Sequence, residues 1–301
     1  MKRLFPLILT FALLLCGCGK QEPQQAETTL PSTAAPVETP APTETTGADQ
    51  GPEGILENKD TQTVYLLKRV IRSNESGGRI WLQEYEYDEL GQLTEQLEYT
   101  PENTLAYRTV YSGYENGLYT RLDSYFYDAD MAEHLDFSQT FAYDDQGRVV
   151  YTELIQDGEI TETTTFTYDD YGNVLSQTVD FGGFTQEITY EYVYDPQGNL
   201  LTCREYQDGS LMGTTEQSYD EQGILSQVIY FDYSGALLSR QEITWEGSTE
   251  SKITYDADGN ISILDVTAYD ESGNPTLAES QYYGESLTIT EYTYEPFEIQ
   301  K

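Results

Sequence analysis

The stretch Tyr143–Val149 reads Tyr-Asp-Asp-Gln-Gly-Arg-Val, and close variants of it return at Tyr168–Val174 and Tyr194–Leu200. In each copy, Tyr-Asp is followed by two variable residues, a Gly, and an apolar residue two positions further on. The intervals between the four copies that begin at Tyr143 and end with Tyr219 are 25, 26 and 25 residues, a period typical of repeat architectures. The Tyr, Asp and Gly positions of the full set of copies are Tyr87, Asp88, Gly91, Tyr143, Asp144, Gly147, Tyr168, Asp169, Gly172, Tyr194, Asp195, Gly198, Tyr219, Asp220, Gly223, Tyr255, Asp256, Gly259, Tyr269, Asp270 and Gly273.

The motif has the chemistry of a β-turn. An Asp at the start of a turn can accept hydrogen bonds from the backbone N–H groups that follow it. Two residues then form the corner, and the Gly supplies the positive φ that a type I turn with a G1 bulge requires. We therefore expect Gly172 and Gly198 to have positive φ, and each copy to join two antiparallel strands.

The residues before each turn alternate with the period of a β-strand. Tyr190, Tyr192 and Tyr194 fall on one face of a predicted strand, opposite Glu191. Turn signals recur about every 12–13 residues, which predicts an all-β antiparallel meander of about 18 strands. Met131–Leu135 is the one segment predicted as a short helical turn. We expect the aromatic face to form the core, with an aromatic binding surface as the alternative, because a long sheet must bury one face.

Tyr-Asp-x-x-Gly-(Asn/Arg)-(Leu/Val), repeated at this spacing, resembles the YD-repeat, or Rhs-repeat, family. Tyr143–Val149, Tyr168–Val174 and Tyr194–Leu200 match best, and the resemblance covers residues 80–301 well and 61–80 weakly. It implies a long antiparallel sheet coiled into a spiral, which in large members forms a hollow shell around a C-terminal cargo. With about 18 strands, this chain is expected to be too short for a full shell.

The N-terminus has the pattern of an export signal. Lys2-Arg3 precedes an apolar run, Leu4–Leu15, that is too short for a bilayer core, which needs roughly 20 helical residues. The segment Leu15-Cys16-Gly17-Cys18 resembles the bacterial lipobox, in which Cys18 receives the lipid. We expect a lipoprotein signal peptide over residues 1–17 and a protein anchored by lipid on the extracytoplasmic face of the cell membrane. An ordinary signal peptide is the alternative.

Composition divides the remaining chain into two parts. Residues 19–60 contain no Phe, Trp or Tyr and are rich in Pro, Thr, Glu and Ala, so they cannot bury enough apolar surface to offset the entropy of ordering. We expect the lipidated Cys18 and a disordered Pro/Thr/Glu-rich stalk over residues 18–60, with a glycosylated stalk as the alternative. Residues 61–301 form the predicted repeat β domain.

The charge of the chain restricts its partners. The 53 acidic residues against 15 Lys and Arg give a formal net charge of −38. Such a surface repels the phosphates of nucleic acids and anionic lipid headgroups, so we expect no nucleic-acid partner and attachment to the membrane through the lipid alone. Once Cys16 is cleaved off and Cys18 is acylated, only the Cys203 thiol remains, which excludes an intramolecular disulfide.

Candidate catalytic and metal residues are few. His134 lies among acidic residues and could bind a metal, but a solvated loop is the preferred interpretation. Cys203 is predicted to be a small packing residue. The segment from Asp256 to Asn260 faintly resembles a calcium loop, although the same letters satisfy the turn motif. We therefore predict no cofactor, no catalytic residue and no enzyme activity.

Three functions are compatible with these features. The preferred one is a non-catalytic binding or adhesion module for an extracellular glycan or protein. A structural or shielding surface protein without a defined ligand is the second. The third is a cell-wall hydrolase, for which two carboxylates at a set separation are needed and cannot be singled out among so many acidic residues.

Overall fold

The computed structural model describes residues 61–283, 285 and 287–300, and this part of the chain contains 18 strands and no helix, which confirms the all-β prediction. The predicted signal peptide, the lipidated Cys18 and the stalk to residue 60 lie outside the described residues. Among those described, no helix is long and apolar enough to cross a membrane. The strands are β1 (Thr61–Asn74), β2 (Arg79–Tyr87), β3 (Leu93–Tyr99), β4 (Leu105–Ser112), β5 (Arg121–Tyr127), β6 (Glu133–Tyr143), β7 (Val149–Gln156), β8 (Glu159–Tyr168), β9 (Val174–Asp180), β10 (Thr185–Tyr194), β11 (Leu200–Gln207), β12 (Ser210–Tyr219), β13 (Leu225–Asp232), β14 (Leu237–Glu246), β15 (Thr249–Asp256), β16 (Ile261–Tyr269), β17 (Pro275–Tyr282) and β18 (Thr288–Gln300).

The sheet is closed. Each strand from β2 to β17 pairs antiparallel with the strands before and after it in the chain, and β1 pairs with both β2 and β18. The β1–β18 register runs from Thr61 opposite Gln300 to Asn74 opposite Thr288, with one bulge between Leu67 and Arg69. The described strands therefore form one antiparallel barrel in which every strand has two hydrogen-bonded neighbours.

The closed barrel corrects the coiled or spiral sheet that the family resemblance implies. The register shifts at most hairpins are β-bulges. A bulge bends the strand and increases its right-handed twist, which favours the curvature of a barrel wall. Among the described strands, the pairing of β1 with β18 then leaves no exposed edge, which would otherwise carry unpaired N–H and C=O groups. The predicted helical turn at Met131–Leu135 is also wrong, because Met131 has a φ of 61° in a turn and β6 begins at Glu133.

The two faces of the barrel wall differ in chemistry and burial. The aromatic face carries Tyr190, Tyr192, Tyr194 and the residues that pair opposite them around the sheet, and the polar face carries Glu191 and its counterparts. Apart from Leu82 and Ser138, the buried residues of the described part lie on the aromatic face. Side chains crowd on the concave side of a curved sheet, so the aromatic face is the inner surface and the polar face the outer one.

The densest part of the core lies where β9, β10 and β11 meet. Val174, Ile188, Tyr190 and Cys203 are buried there, and Phe166, Tyr168 and Tyr192 pack against them. Cys203 is 2% exposed, which confirms its predicted packing role. The aromatic face thus serves as core around β10, as predicted.

The barrel has two ends, which we name by the position of Thr61. The near end contains Thr61, the start of β1, and the turns that follow the even-numbered strands. The far end contains the turns that follow the odd-numbered strands. Any segment that precedes Thr61 therefore joins the barrel at the near end.

Candidate functional site

The turn motif has the same hydrogen-bond pattern in each copy, shown here at Asp144. The Asp144 N–H donates to the Arg148 carbonyl at 2.9 Å, and the Gly147 N–H donates to the Asp144 carbonyl at 3.0 Å. The Asp144 carboxylate accepts from the N–H groups of Gln146 and Arg148, both at 2.9 Å. The Arg148 N–H, and then its guanidinium, hold the pKa of Asp144 below its usual range. The motif residues therefore carry a turn-forming role.

Six of the seven copies lie at the near end, and the copy that begins at Tyr255 does not. Its turn joins β15 to β16 at the far end, and the Tyr255 ring lies on the polar face under the Arg240 guanidinium, 4.6 Å from the ring centre. The interval from Tyr219 to Tyr255 explains this placement, because 36 residues correspond to three strands rather than two. A copy with the same sequence motif therefore need not lie at the same end of the barrel.

Four of the motif tyrosines donate a hydroxyl hydrogen bond to a backbone carbonyl of a preceding strand or loop, which the sequence did not predict. The Tyr168 hydroxyl donates to the Val149 carbonyl at 2.6 Å, and the Tyr219 hydroxyl donates to the Leu200 carbonyl at 3.0 Å. Each acceptor is the last residue of the preceding motif copy. Tyr87 and Tyr143 make the same kind of bond, to the carbonyls of Leu67 and Tyr119.

The Tyr194 hydroxyl forms hydrogen bonds with side chains instead of a backbone carbonyl. Its hydroxyl donates to the Asp169 carboxylate and accepts from the Asn173 side chain at 2.7 Å, while Tyr192 takes over the bond to the Val174 carbonyl at 2.7 Å. Burial, and then the Asp169 carboxylate, raise the pKa of Tyr194, so its hydroxyl stays protonated as the donor. The Asp169 and Asn173 of one copy are therefore joined to the Tyr of the next.

Gly172 provides the clearest test of the turn. It has a φ of 89°, where a β-branched residue is strongly disfavoured, although no atom lies near the position of an added Cβ. We expect Gly172→Val to lower the free energy of unfolding by about 1–2 kcal/mol or more in urea denaturation. Gly183 also has open space but lies outside the left-handed region, so Gly183→Val is the matched control. Equal unfolding midpoints for the two variants would contradict the turn role.

An aromatic run extends along β10 from the core to the near end. The ring centres of Tyr190 and Tyr192 are 6.2 Å apart, and those of Tyr192 and Tyr194 are 6.1 Å apart. Tyr171, an exposed residue of the β8–β9 turn, stacks on Tyr194 with 4.2 Å between ring centres. The rings of the run therefore pack against one another, and Tyr171 is the most exposed of them.

A second aromatic group lies in the turns of the far end and was missed in the sequence. Phe184, Tyr233 and Tyr283 follow β9, β13 and β17 respectively, and all three are exposed. Phe181 and Phe184 stack across Gly182-Gly183 with 6.1 Å between ring centres. The signal was present as large apolar residues inside turn segments, where Gly, Asn, Asp and Ser normally dominate.

The candidate metal residues His134 and Asp256 are both engaged in local hydrogen bonds. His134 is the second residue of β6, shares a hydrogen bond with the Asp128 carboxylate at 2.8 Å, and stacks on Phe126. Within the described ranges, no three His, Cys, Asp or Glu residues are grouped to bind a metal ion. The Asp256 carboxylate accepts from the N–H groups of Asp258 and Asn260, as in the other turns.

Comparison with known proteins gives structural likenesses of low similarity. No protein-family model matches the chain, and no curated protein matches it. The crystal structure of TcdB2-TccC3-TEV aligns at 14% identity and a TM-score of 0.31, over 74% of this chain and 16% of that one. The Photorhabdus luminescens Tc holotoxin pore aligns at 13% identity and a TM-score of 0.25, over 70% and 16%. A porin-like protein from Bacteroides uniformis aligns at 13% identity and a TM-score of 0.34, over 76% and 96%.

These likenesses say little about function. The chain spans only 16% of the length of the first two structures, and all three TM-scores are low. The geometry of the barrel itself is therefore the basis for a functional proposal.

Proposed function

We propose that this chain is an extracytoplasmic lipoprotein of the YD-repeat type, anchored through Cys18, which acts as a non-catalytic binding module for a glycan or protein. The lipobox-like segment Leu15-Cys16-Gly17-Cys18 supports the anchor, and the turn geometry shared by the motif copies supports the repeat.

The observation that carries the binding role is the position of the exposed aromatic residues. Phe184, Tyr233 and Tyr283 lie in far-end turns, opposite Thr61, where the preceding chain joins the barrel. Exposure of a large apolar side chain to water is energetically unfavourable, and such side chains are not required to form the turns. A barrel anchored through the stalk is attached at its near end, which leaves the far end free of the attachment and available to a ligand.

A shielding role is the second candidate, and the polar face favours it. The outer surface is rich in Glu and Thr, and the net charge of −38 resists close approach of other anionic surfaces. Shielding requires no ligand, whereas a binding module does.

A binding screen separates these two functions. The mature lipoprotein in neutral detergent, applied to arrays of glycans, peptidoglycan fragments and peptides, should bind members of at least one class. Binding should weaken when Tyr233→Ser and Tyr283→Ser are combined. Failure to bind any array member would favour the shielding role.

The anchor is tested by Cys18→Ala. The thiol is the atom that would be acylated, so the variant should be released into the medium or remain uncleaved, with little of it processed and membrane-bound. Cell fractionation and the mass of the mature N-terminus measure this, and Cys203→Ala is the control that keeps Cys18 intact. A Cys18→Ala protein that is normally processed and stays in the membrane would contradict the lipoprotein assignment.

A further inference from the structure

Exposed apolar side chains are concentrated at the far end of the barrel. Tyr283 is 83% exposed, Tyr233 72%, Phe184 60% and Ile160 56%, and Met131 and Tyr282 are about half exposed. All six lie in far-end turns or at the ends of the strands that these turns join. We call these six residues the far-end rim.

The same turns are acidic. The nine segments that join strands at the far end contain no Lys or Arg, while they include Asp130, Asp157, Asp208, Asp258 and Glu285. Carboxylates are therefore interspersed with apolar side chains around the rim.

The basic groups nearest to this end are already engaged. The Arg79 guanidinium donates to the Asn103 side chain at 3.2 Å and to the Pro101 carbonyl at 2.9 Å. Arg108 forms ion pairs with Glu95 at 2.5 Å and with Glu133 at 3.2 Å. In these contacts neither Arg79 nor Arg108 forms an ion pair with a carboxylate of the turns.

We propose that the far-end rim docks a cationic amphipathic peptide segment. A partner that covers the apolar side chains must approach through the field of the surrounding carboxylates. Its binding is therefore strongest if it carries Lys or Arg beside its own apolar residues. Anionic lipid and nucleic acid are repelled by the same field, and a neutral glycan would not be attracted by the carboxylates. This inference rests on the proposed binding function and names its partner class.

The test uses the mature lipoprotein in neutral detergent micelles, with empty micelles as the blank. The probe is a fluorescein-labelled synthetic helix of Leu and Lys, and the comparison probe has every Lys replaced by Gln. Fluorescence anisotropy should show binding of the Lys probe that weakens at least about tenfold between low and high salt, because screening shortens the range of the attraction. The Gln probe should bind at least about tenfold more weakly than the Lys probe at low salt.

Matched variants locate the site. The triple variant Phe184→Ser, Tyr233→Ser and Tyr283→Ser should weaken binding of the Lys probe about tenfold or more, since it removes the apolar contacts and keeps every charge. The near-end triple Leu90→Ser, Tyr171→Ser and Ile224→Ser alters residues that are also exposed beside carboxylates, but at the end with fewer exposed apolar side chains, and it should leave affinity within about twofold. Thermal melts check that both variants fold.

The outcomes are separable. Absence of probe binding, or equal loss in the two triple variants, would overturn the inference. If a glycan array is positive while the peptide probe does not bind, the proposed binding function stands and this partner class is wrong. If neither binds, both are wrong.

Discussion

Tyr190→Ala is expected to destabilise the barrel by about 3–5 kcal/mol, the range for removal of a buried aromatic ring. Tyr190 is 4% exposed and belongs to the core cluster with Val174, Ile188 and Cys203, so its loss leaves a cavity that neighbouring strands cannot fill without moving. The free energy of unfolding from urea denaturation measures the effect.

The next residue along β10 is the control. Glu191 lies on the polar face with its side chain 63% exposed, and its nearest ion-pair distance, to Arg204, is 3.9 Å. Glu191→Ala should cost less than about 1 kcal/mol. Similar losses for the two variants would mean that the aromatic face is not the core at β10.

Proline in β18 is expected to have an effect of comparable size. Thr290 and Glu291 each pair with β17 on one side, opposite Ala278 and Leu277, and with β1 on the other, opposite Arg72 and Ile71. The N–H groups of consecutive strand residues point to opposite sides, so one of the two donates to β1 and the other to β17. In a closed sheet, both Thr290→Pro and Glu291→Pro remove a ladder hydrogen bond and should each cost at least about 2 kcal/mol.

Thr290→Val and Glu291→Gln are the controls, because they keep the backbone N–H. In an open sheet β18 would be an edge strand, and the proline whose position faces outward would be tolerated. One tolerated and one disruptive proline would therefore contradict closure, whereas two disruptive prolines agree with it.

The local structure could be predicted because the residues that form each turn all lie within one motif copy. The Asp and Gly of a copy lie within a few residues of the groups they bond, so the sequence alone predicts the turn and the positive φ at Gly172 and Gly198. The alternation of Tyr190 with Glu191 likewise identifies which face is buried, since a strand has a period of two.

Long-range features could not be predicted in this way. The pairing of β1 with β18 joins residues from opposite ends of the repeat domain, and neither strand leads into a motif turn that would fix their register. The placement of Tyr255 depends on counting strands after Tyr219, and the hydroxyl bonds of Tyr168 and Tyr219 depend on a neighbouring hairpin. The far-end rim likewise emerges only when alternate turns are brought to one end.

Amide hydrogen exchange of the full chain tests closure of the barrel most directly. A closed sheet predicts that amides throughout the centres of β1 and β18, whichever neighbour they face, exchange as slowly as those of β9 and β10, because every one is hydrogen-bonded within the wall. Fast exchange of alternate amides in β1 and β18, confined to those that face each other, would show two free edges and contradict the closed barrel.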